Sequence, residues 1–297
     1  MKLVARRGEF PEEVRQRGRY MLFVEGAPDS IDTLALSELF EHRIRVERLG
    51  PSFSVRSAAE ALNATHPYYF FLIDRDNQTD EEVDRLWREF PNPQTANLLV
   101  WHSREIENVF LDPEYLMRSR YYVRDVRNLR DEIVGIAQKR LYLDVANATI
   151  VSCREELKTD LRLSLKTIKS LSCMMTCEDA VRELREHFSS DELGDASANK
   201  TSPDVIERRF RLLLAEYTGE CESLRWECGR WRQLMRGKKI LHEIFALPCF
   251  RVTNSANQVL AGKDRQSALV EDLLRLPADL LPADFVQLKN TILGRLH

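Results

Sequence analysis

Acidic side chains fall where two apolar runs stop. Tyr20-Met21-Leu22-Phe23-Val24 runs into Glu25 and Gly26, with Asp29 close behind, and Tyr68-Tyr69-Phe70-Phe71-Leu72-Ile73 runs into Asp74-Arg75-Asp76. Glutamate is a poor helix cap, and an unpaired carboxylate after a buried run costs several kcal/mol or takes up a proton, so Glu25 calls for a positive partner. In an extended backbone Asp74 and Asp76 share one side and Arg75 points outward. Two carboxylates that close repel, and hard oxygen donors brought together commonly bind a divalent cation. Asp29 reads equally as a further ligand or as the N-cap of the next helix.

The elements that would position these acids follow from periodicity. The two apolar runs are too short for independent helices and read as strands covered on both faces. Between them, Ser30 is placed to cap a helix carrying Ile31, Leu34, Ala35 and Leu39. Residues 43–49 alternate polar with apolar as an edge strand, and Ser57-Ala58-Ala59-Glu60 fits a capping box. Beyond Asp76, Thr79-Asp80-Glu81-Glu82 is a second capping box, leading a stripe of Val83, Leu86, Trp87 and Phe90. Residues 96–101 then read as a fourth strand. Strands alternating with helices predict an α/β fold with a doubly wound parallel sheet, and the order 2-1-3-4 makes the strands ending in Glu25 and Asp74 neighbours at the switch point. From Asp112-Pro113 onward the pattern is helical, so the expected division is 1–112 for the sheet domain and 113–297 for an all-helical region.

The 297 residues carry 43% hydrophobic and 31% charged side chains and a net charge of -3, which excludes a globally basic nucleic-acid binder and leaves only local basic surface. No apolar run reaches the length of a membrane span, and the N-terminus has charge without an apolar core; a cytoplasmic location without membrane association is expected. Six cysteines form no C-x-x-C and no zinc tetrad, so buried, reduced thiols are expected. No lysine occurs between Lys2 and Lys139, so an assisting lysine must come from the extreme N-terminus or from the helical region. The basic clusters are Arg118, Arg120, Arg124, Arg127 and Arg130, with Tyr121 and Tyr122, and then Arg225, Arg230, Arg232, Arg236, Lys238 and Lys239, with Trp226 and Trp231. Such mixtures suit phosphate contacts with base stacking, or a solvated helix face over buried aromatics; Lys238 and Lys239 also suit the end of a helix.

The order and spacing of Val24-Glu25-Gly26-x-x-Asp29 and Ile73-Asp74-Arg75-Asp76 resemble the Toprim fold, the metal-binding module of topoisomerases, bacterial primases and OLD-type nucleases. Trp101-His102-Ser103-Arg104-Glu105-Ile106-Glu107-Asn108-Val109-Phe110-Leu111 and Gly237-Lys238-Lys239-Ile240-Leu241 are similar to segments of the Toprim-like DUF4435 family, members of which are the nuclease effectors of PARIS anti-phage systems. The resemblance implies catalytic and metal-ligating roles for Glu25, Asp74, Asp76 and Glu107, with Asp29 as a further ligand and Mg²⁺ or Mn²⁺ as the ion. Glu105 is the alternative to Glu107; if a helix starts here the two diverge and only one joins the cluster, and Asn108 keeps the register that favours Glu107. A toxin-like nuclease is implied, acting on RNA, including host tRNA, or on DNA, restrained by an ABC-type ATPase partner, with a homodimer among the expected assemblies. Arg230, Arg232, Arg236, Lys238 and Lys239 are the expected substrate contacts. The alternatives are a non-catalytic Toprim-like module that binds a partner or nucleic acid, and a haloacid-dehalogenase-type phosphatase. The latter also begins with an apolar strand running into D-x-D, but here the motif ends the third strand and Gln78 stands where Thr or Val belongs.

Overall fold

The computed structural model describes residues 20–26, 30–91, 97–123, 128–157, 176–188 and 202–296. The sheet half runs β1 (Met21–Val24), α1 (Asp32–Leu39), β2 (Arg45–Arg48), α2 (Ser52–Leu62), β3 (Tyr69–Ile73), α3 (Asp80–Glu89), β4 (Leu98–Val100), α4 (Ile106–Val109) and α5 (Pro113–Leu116). Then follow α6 (Leu129–Gln138), α7 (Leu141–Leu157), α8 (Cys177–Phe188), α9 (Pro203–Thr218), α10 (Trp231–Leu234), α11 (Gly237–Phe245), α12 (Gly262–Leu274) and α13 (Ala283–Leu293).

The four strands pair in parallel in the order β2-β1-β3-β4, as expected of this doubly wound α/β sheet. Val24 lies opposite Leu72 on one side and Arg48 on the other, so β1 and β3 end side by side. β1 and β4 are buried along their length, while β2 is partly exposed as an edge strand. One face of the sheet packs Met21, Phe23, Phe71, Ile73, Leu98 and Val100 against Val55 and Ala59 of α2 and Val83 of α3, with the Phe23 and Phe71 rings stacked 5.3 Å apart. The residues between them in sequence, Leu22, Val24, Phe70, Leu72 and Leu99, point to the opposite face and are equally buried.

Local chemistry explains where helices begin. Thr79 and Glu82 close a reciprocal capping box, Glu82 N–H donating to Thr79 Oγ1 at 3.3 Å and Thr79 N–H to Glu82 Oε2 at 3.0 Å. Asp112 Oδ1 accepts from the N–H groups of Glu114 and Tyr115. Two starts differ from expectation. α2 opens at Ser52 behind Pro51, so Ser57 lies inside the helix and caps nothing. α1 opens behind Ile31, Ser30 makes no cap, and Leu36 is buried where Leu34 was expected.

The chain separates into two compact units, one formed by the described residues within Met1–Asp125 and Phe245–His297, the other by those within Val126–Ile244. The expected division at 112/113 does not follow this partition, because the last helices return to the sheet. In the first unit Arg275, the C-cap of α12, pairs with Glu38 at 3.0 Å, Lys289 of α13 pairs with Glu41 at 2.7 Å, and Phe285 packs edge-on against Trp101 and Phe110. This unit therefore holds Lys263 and Lys289, lysines that a boundary at 112 denies it. In the second unit, α9 lies against α7 and α8, and the stripe of Leu129, Ile133 and Ile136 is buried. A buried ion pair joins Arg140 to Asp144 at 3.4 Å, and Asp144 Oδ2 also accepts from Arg236 N–H at 3.0 Å, fixing the approach to α11. The expected loop at 189–200 lies outside the described residues.

Candidate metal centre

Glu25 continues the ladder one residue beyond β1, its N–H donating to Leu72 C=O at 3.2 Å. Gly26 then turns the chain at φ 149°, and its N–H donates to Gly50 C=O at 3.1 Å. A Cβ on Gly26 would stand 2.6 Å from Ser30 Oγ and 3.5 Å from Asp32 Oδ2, so a side chain here would collide with the return of the chain into α1. The Glu25 carboxylate accepts from the backbone N–H groups of Asp74 and Ser52. Ser52 is the first residue of α2, and Pro51 before it has no side-chain oxygen, so Glu25 supplies the acceptor that the helix N-terminus lacks. Its Oε2 is nonetheless buried with no hydrogen-bond partner. Burial, and then the neighbouring charge of Asp76, push the Glu25 carboxyl above its ordinary range despite the two donors.

Asp74 is the crowded member. Its carboxyl is held well above the usual carboxylate range, by burial first and then by Asp32, Glu105, Glu25 and Glu107. Asp76 is exposed on a left-handed backbone, φ 46°, so the extended D-x-D geometry expected from the sequence does not form. Nor does Arg75 point outward. It is 4% exposed, and its guanidinium donates to Gln78 C=O at 3.0 Å, His102 C=O at 2.7 Å and Asp80 Oδ1 at 2.6 Å. With Arg75 N–H donating to Arg104 C=O at 3.0 Å, this staples the loop after β3 to the segment after β4.

That segment carries the remaining acids. α4 starts at Ile106 with Glu105 as its N-cap, and Glu105 N–H donates to Asn108 Oδ1 at 3.0 Å. Asn108 thus builds the helix start. The charges of both glutamates raise the Asp74 carboxyl, Glu105 more strongly than Glu107, which is itself 5% exposed. Asp32, 9% exposed at the first position of α1, was not singled out from sequence, because an acid in a helix's first turn ordinarily serves only the helix dipole. Asp284 in the first turn of α13 was also missed. Burial raises its carboxyl, opposed by His102 and by a hydrogen bond from Ser103. Asp29 lies outside the described residues.

Among the described residues no three Asp, Glu, His or Cys side chains converge closely enough, as placed, to hold one ion. The donor chemistry nevertheless fits a hard divalent cation: every donor is a carboxylate oxygen, Glu25 Oε2 is buried and unpartnered, and the dominant influences on Asp74 besides burial are other carboxylates. Glu25 and Asp74 would hold the ion, with Asp32, Asp76, Glu105 and Glu107 around them.

The expected substrate-contacting residues all lie in the second unit. Arg230 is committed internally, to Glu216 at 2.8 Å and to Gln233. Arg232 lies 4.6 Å above the Trp226 ring, which Arg130 also faces at 5.3 Å. Arg236, Lys238 and Lys239 are exposed, and the two lysines open α11 instead of ending a helix. Cations at the positive end of a helix oppose its dipole, which makes this a surface suited to anions. In the first unit Arg120 is paired with Asp272 at 3.0 Å, and Arg124 and Arg127 lie outside the described residues.

Compared with known proteins, the chain matches no family, no curated protein and no solved structure.

Proposed function

We propose that the chain is a metal-dependent nuclease of the Toprim type, hydrolysing a phosphodiester with an acidic centre of Glu25, Asp74, Asp76 and Glu107, joined by Asp32 and Glu105. The observation that carries this reading is Asp74, a carboxyl at the end of a central strand crowded by four other acids. Such an arrangement is costly in a purely structural role and is relieved by a cation.

When bound, Mg²⁺ or Mn²⁺ supplies charge neutralisation at the scissile phosphate and a more acidic water for in-line displacement. The chain's part is orientation and proton balance. Glu25, fixed by the N–H groups of Asp74 and Ser52, presents Oε2; Asp74 would hold the ion as its carboxylate; Arg75 holds the D-x-D loop against the segment bearing Glu105 and Glu107. Arg232, Arg236, Lys238 and Lys239 supply phosphate contacts, with Trp226 as a stacking surface.

The finer reading rests on the resemblance of the Glu25, Asp74-x-Asp76, Glu107-Asn108 and Gly237–Leu241 segments alone. In it the nuclease is a toxin-like, cytoplasmic effector of anti-phage defence, cutting RNA such as host tRNA, or DNA, under restraint by an ABC-type ATPase. The test is cleavage of labelled tRNA and of DNA by purified protein with Mg²⁺ or Mn²⁺. Cleavage should vanish with chelator and fall at least about 100-fold in Asp74→Asn. Metal-independent cleavage, or an Asp74→Asn variant as active as wild type, overturns the reading.

A further inference from the structure

Cys153 and Cys249 are buried, but Cys177, Cys221 and Cys228 are partly exposed, so burial does not account for all the thiols. Cys221 and Cys228 lie in one loop between α9 and α10, and the backbone closes that loop at its base. Gly219 and Gly229, at φ 63° and 68°, pack backbone to backbone: a Cβ on Gly219 would stand 2.4 Å from Gly229 N, and one on Gly229 would stand 2.1 Å from Tyr217 C=O. The pinch is reinforced by Arg230 N–H donating to Glu216 C=O at 3.0 Å. Cys228 adjoins one glycine of this neck and Cys221 is two residues from the other, which brings their backbones toward the separation a disulfide spans. Cys221 lies near enough to Cys228 to push the Cys228 thiol up. Cys221 Sγ also faces Gly219 C=O at 3.8 Å, pointing back toward the neck.

The rest of the loop is fastened independently of the thiols. Leu224 N–H donates to Gln138 Oε1 at 2.7 Å, and the buried Trp231 donates from Nε1 to Arg225 C=O at 2.9 Å. The sulfurs can therefore join without displacing these anchors.

We propose that Cys221 and Cys228 form a reversible intrachain disulfide by exchange with low-molecular-weight disulfides, closing a ring around Arg225 and Trp226. In the exchange one cysteine thiolate attacks the small disulfide, whose S–S bond breaks to release one small thiolate and leave a mixed disulfide. The second cysteine gives up its proton, attacks the protein sulfur of that mixed disulfide and releases the other small thiolate. Two protein thiols are oxidised and one small disulfide is reduced to two thiols. Because Trp226 sits within the ring and lies beneath Arg232, oxidation restrains the aromatic platform of this surface. The inference stands on the loop alone and does not depend on the nuclease reading.

Trypsin supplies a direct test, because cleavage after Arg225 and Arg230 puts the two cysteines in separate peptides. Fully reduced, full-length protein is incubated with oxidised glutathione, quenched in acid, alkylated and mapped by mass spectrometry. The proposal predicts that two of the six cysteines lose alkylation, that the Cys221 and Cys228 peptides run as one linked species, and that dithiothreitol restores both. In native digestion, cleavage after Arg225 should slow several-fold in the oxidised form. In Cys221→Ser, Cys228 should stop at the glutathione mixed disulfide. Wild-type protein in which both cysteines stay alkylatable while others oxidise, or in which both carry stable glutathione adducts, overturns the proposal without recourse to a variant.

Discussion

The carboxylate of Glu25 accepts a hydrogen bond from the backbone N–H of Ser52, the first residue of α2. An acid at the end of one strand thus completes the N-terminus of the helix that follows the neighbouring strand, and the turn at Gly50-Pro51 is what brings the two together. Glu25 finds its positive partners in a helix end and in the N–H that follows β3. This compensation is partial, since Oε2 remains unpartnered and burial still raises the carboxyl.

Removing one acid should therefore relieve the metal-free protein. Asp74→Asn keeps the shape and deletes a crowded charge, so its apo melting temperature should hold or rise, by roughly 2–4 °C for each kcal/mol of repulsion removed. Glu25→Gln should behave alike, with a smaller gain because it gives up charge-assisted bonds to two N–H groups. Calorimetry of both variants against wild type is the check, and a marked fall in apo stability with cleavage intact would make these acids structural.

The raised carboxyls set a pH dependence. Glu25 and Asp74 bind protons more tightly folded than unfolded, so their contribution to apo stability is full below the ordinary values of 4.5 and 3.8 and declines as pH rises through their folded values. A divalent cation binds the deprotonated forms, so its stabilising effect should grow over the same window and its binding should release protons. Melting curves from about pH 4 to about pH 8 with and without Mn²⁺ test the sign. A metal-induced shift that shrinks as pH rises contradicts it.

How much of this was legible in the sequence depends on what each residue answers to. The strands, their order and the Thr79 and Asp112 caps follow from local periodicity and side-chain chemistry, which act within a few residues. Arg75 and Asp76 were misplaced because the chain leaves extended geometry immediately after Asp74, held by bonds to His102 and Arg104 in the segment after β4. Asp32 looked like any acid in a first turn, and only the tertiary approach of α1 to the end of β3 makes it part of the cluster. The return of α12 and α13 to the sheet leaves no local signal, since amphipathic helices do not encode which surface covers them.

Gly26→Ala should cost roughly 1–3 kcal/mol, because the backbone at φ 149° disfavours a side chain and the added Cβ meets Ser30 Oγ. Relief of the clash moves Glu25, so metal affinity should fall with stability. Urea unfolding and a Mn²⁺ titration of the same variant check both; a variant as stable as wild type would show that the turn is not constrained.

Arg75 should not be replaceable by lysine. Its guanidinium serves three acceptors from within a buried position, a geometry an ammonium cannot match, so Arg75→Lys should lose about 2–4 kcal/mol. Near-native stability of Arg75→Lys in urea unfolding would contradict this.

Charge removal at Arg232, Arg236, Lys238 and Lys239 together should weaken nucleic-acid binding and reduce the salt slope by roughly 0.7–0.9 for each phosphate no longer neutralised, leaving Mn²⁺ binding unchanged. Arg230 is a poor choice for this set, because its guanidinium is already engaged by Glu216 and Gln233. Binding isotherms at several salt concentrations decide the matter, and an unchanged slope would remove this surface from the account.

The central claim is that the acids around Asp74 hold a divalent cation, and Mn²⁺ binding followed by electron paramagnetic resonance tests it most directly. Wild-type protein should quench the free-ion signal saturably, with Mg²⁺ competing, and Asp74→Asn and Glu25→Gln should each weaken the Mn²⁺ affinity at least about 10-fold while remaining folded. Equal Mn²⁺ binding by wild type and both variants, or none by any of them, would contradict the account.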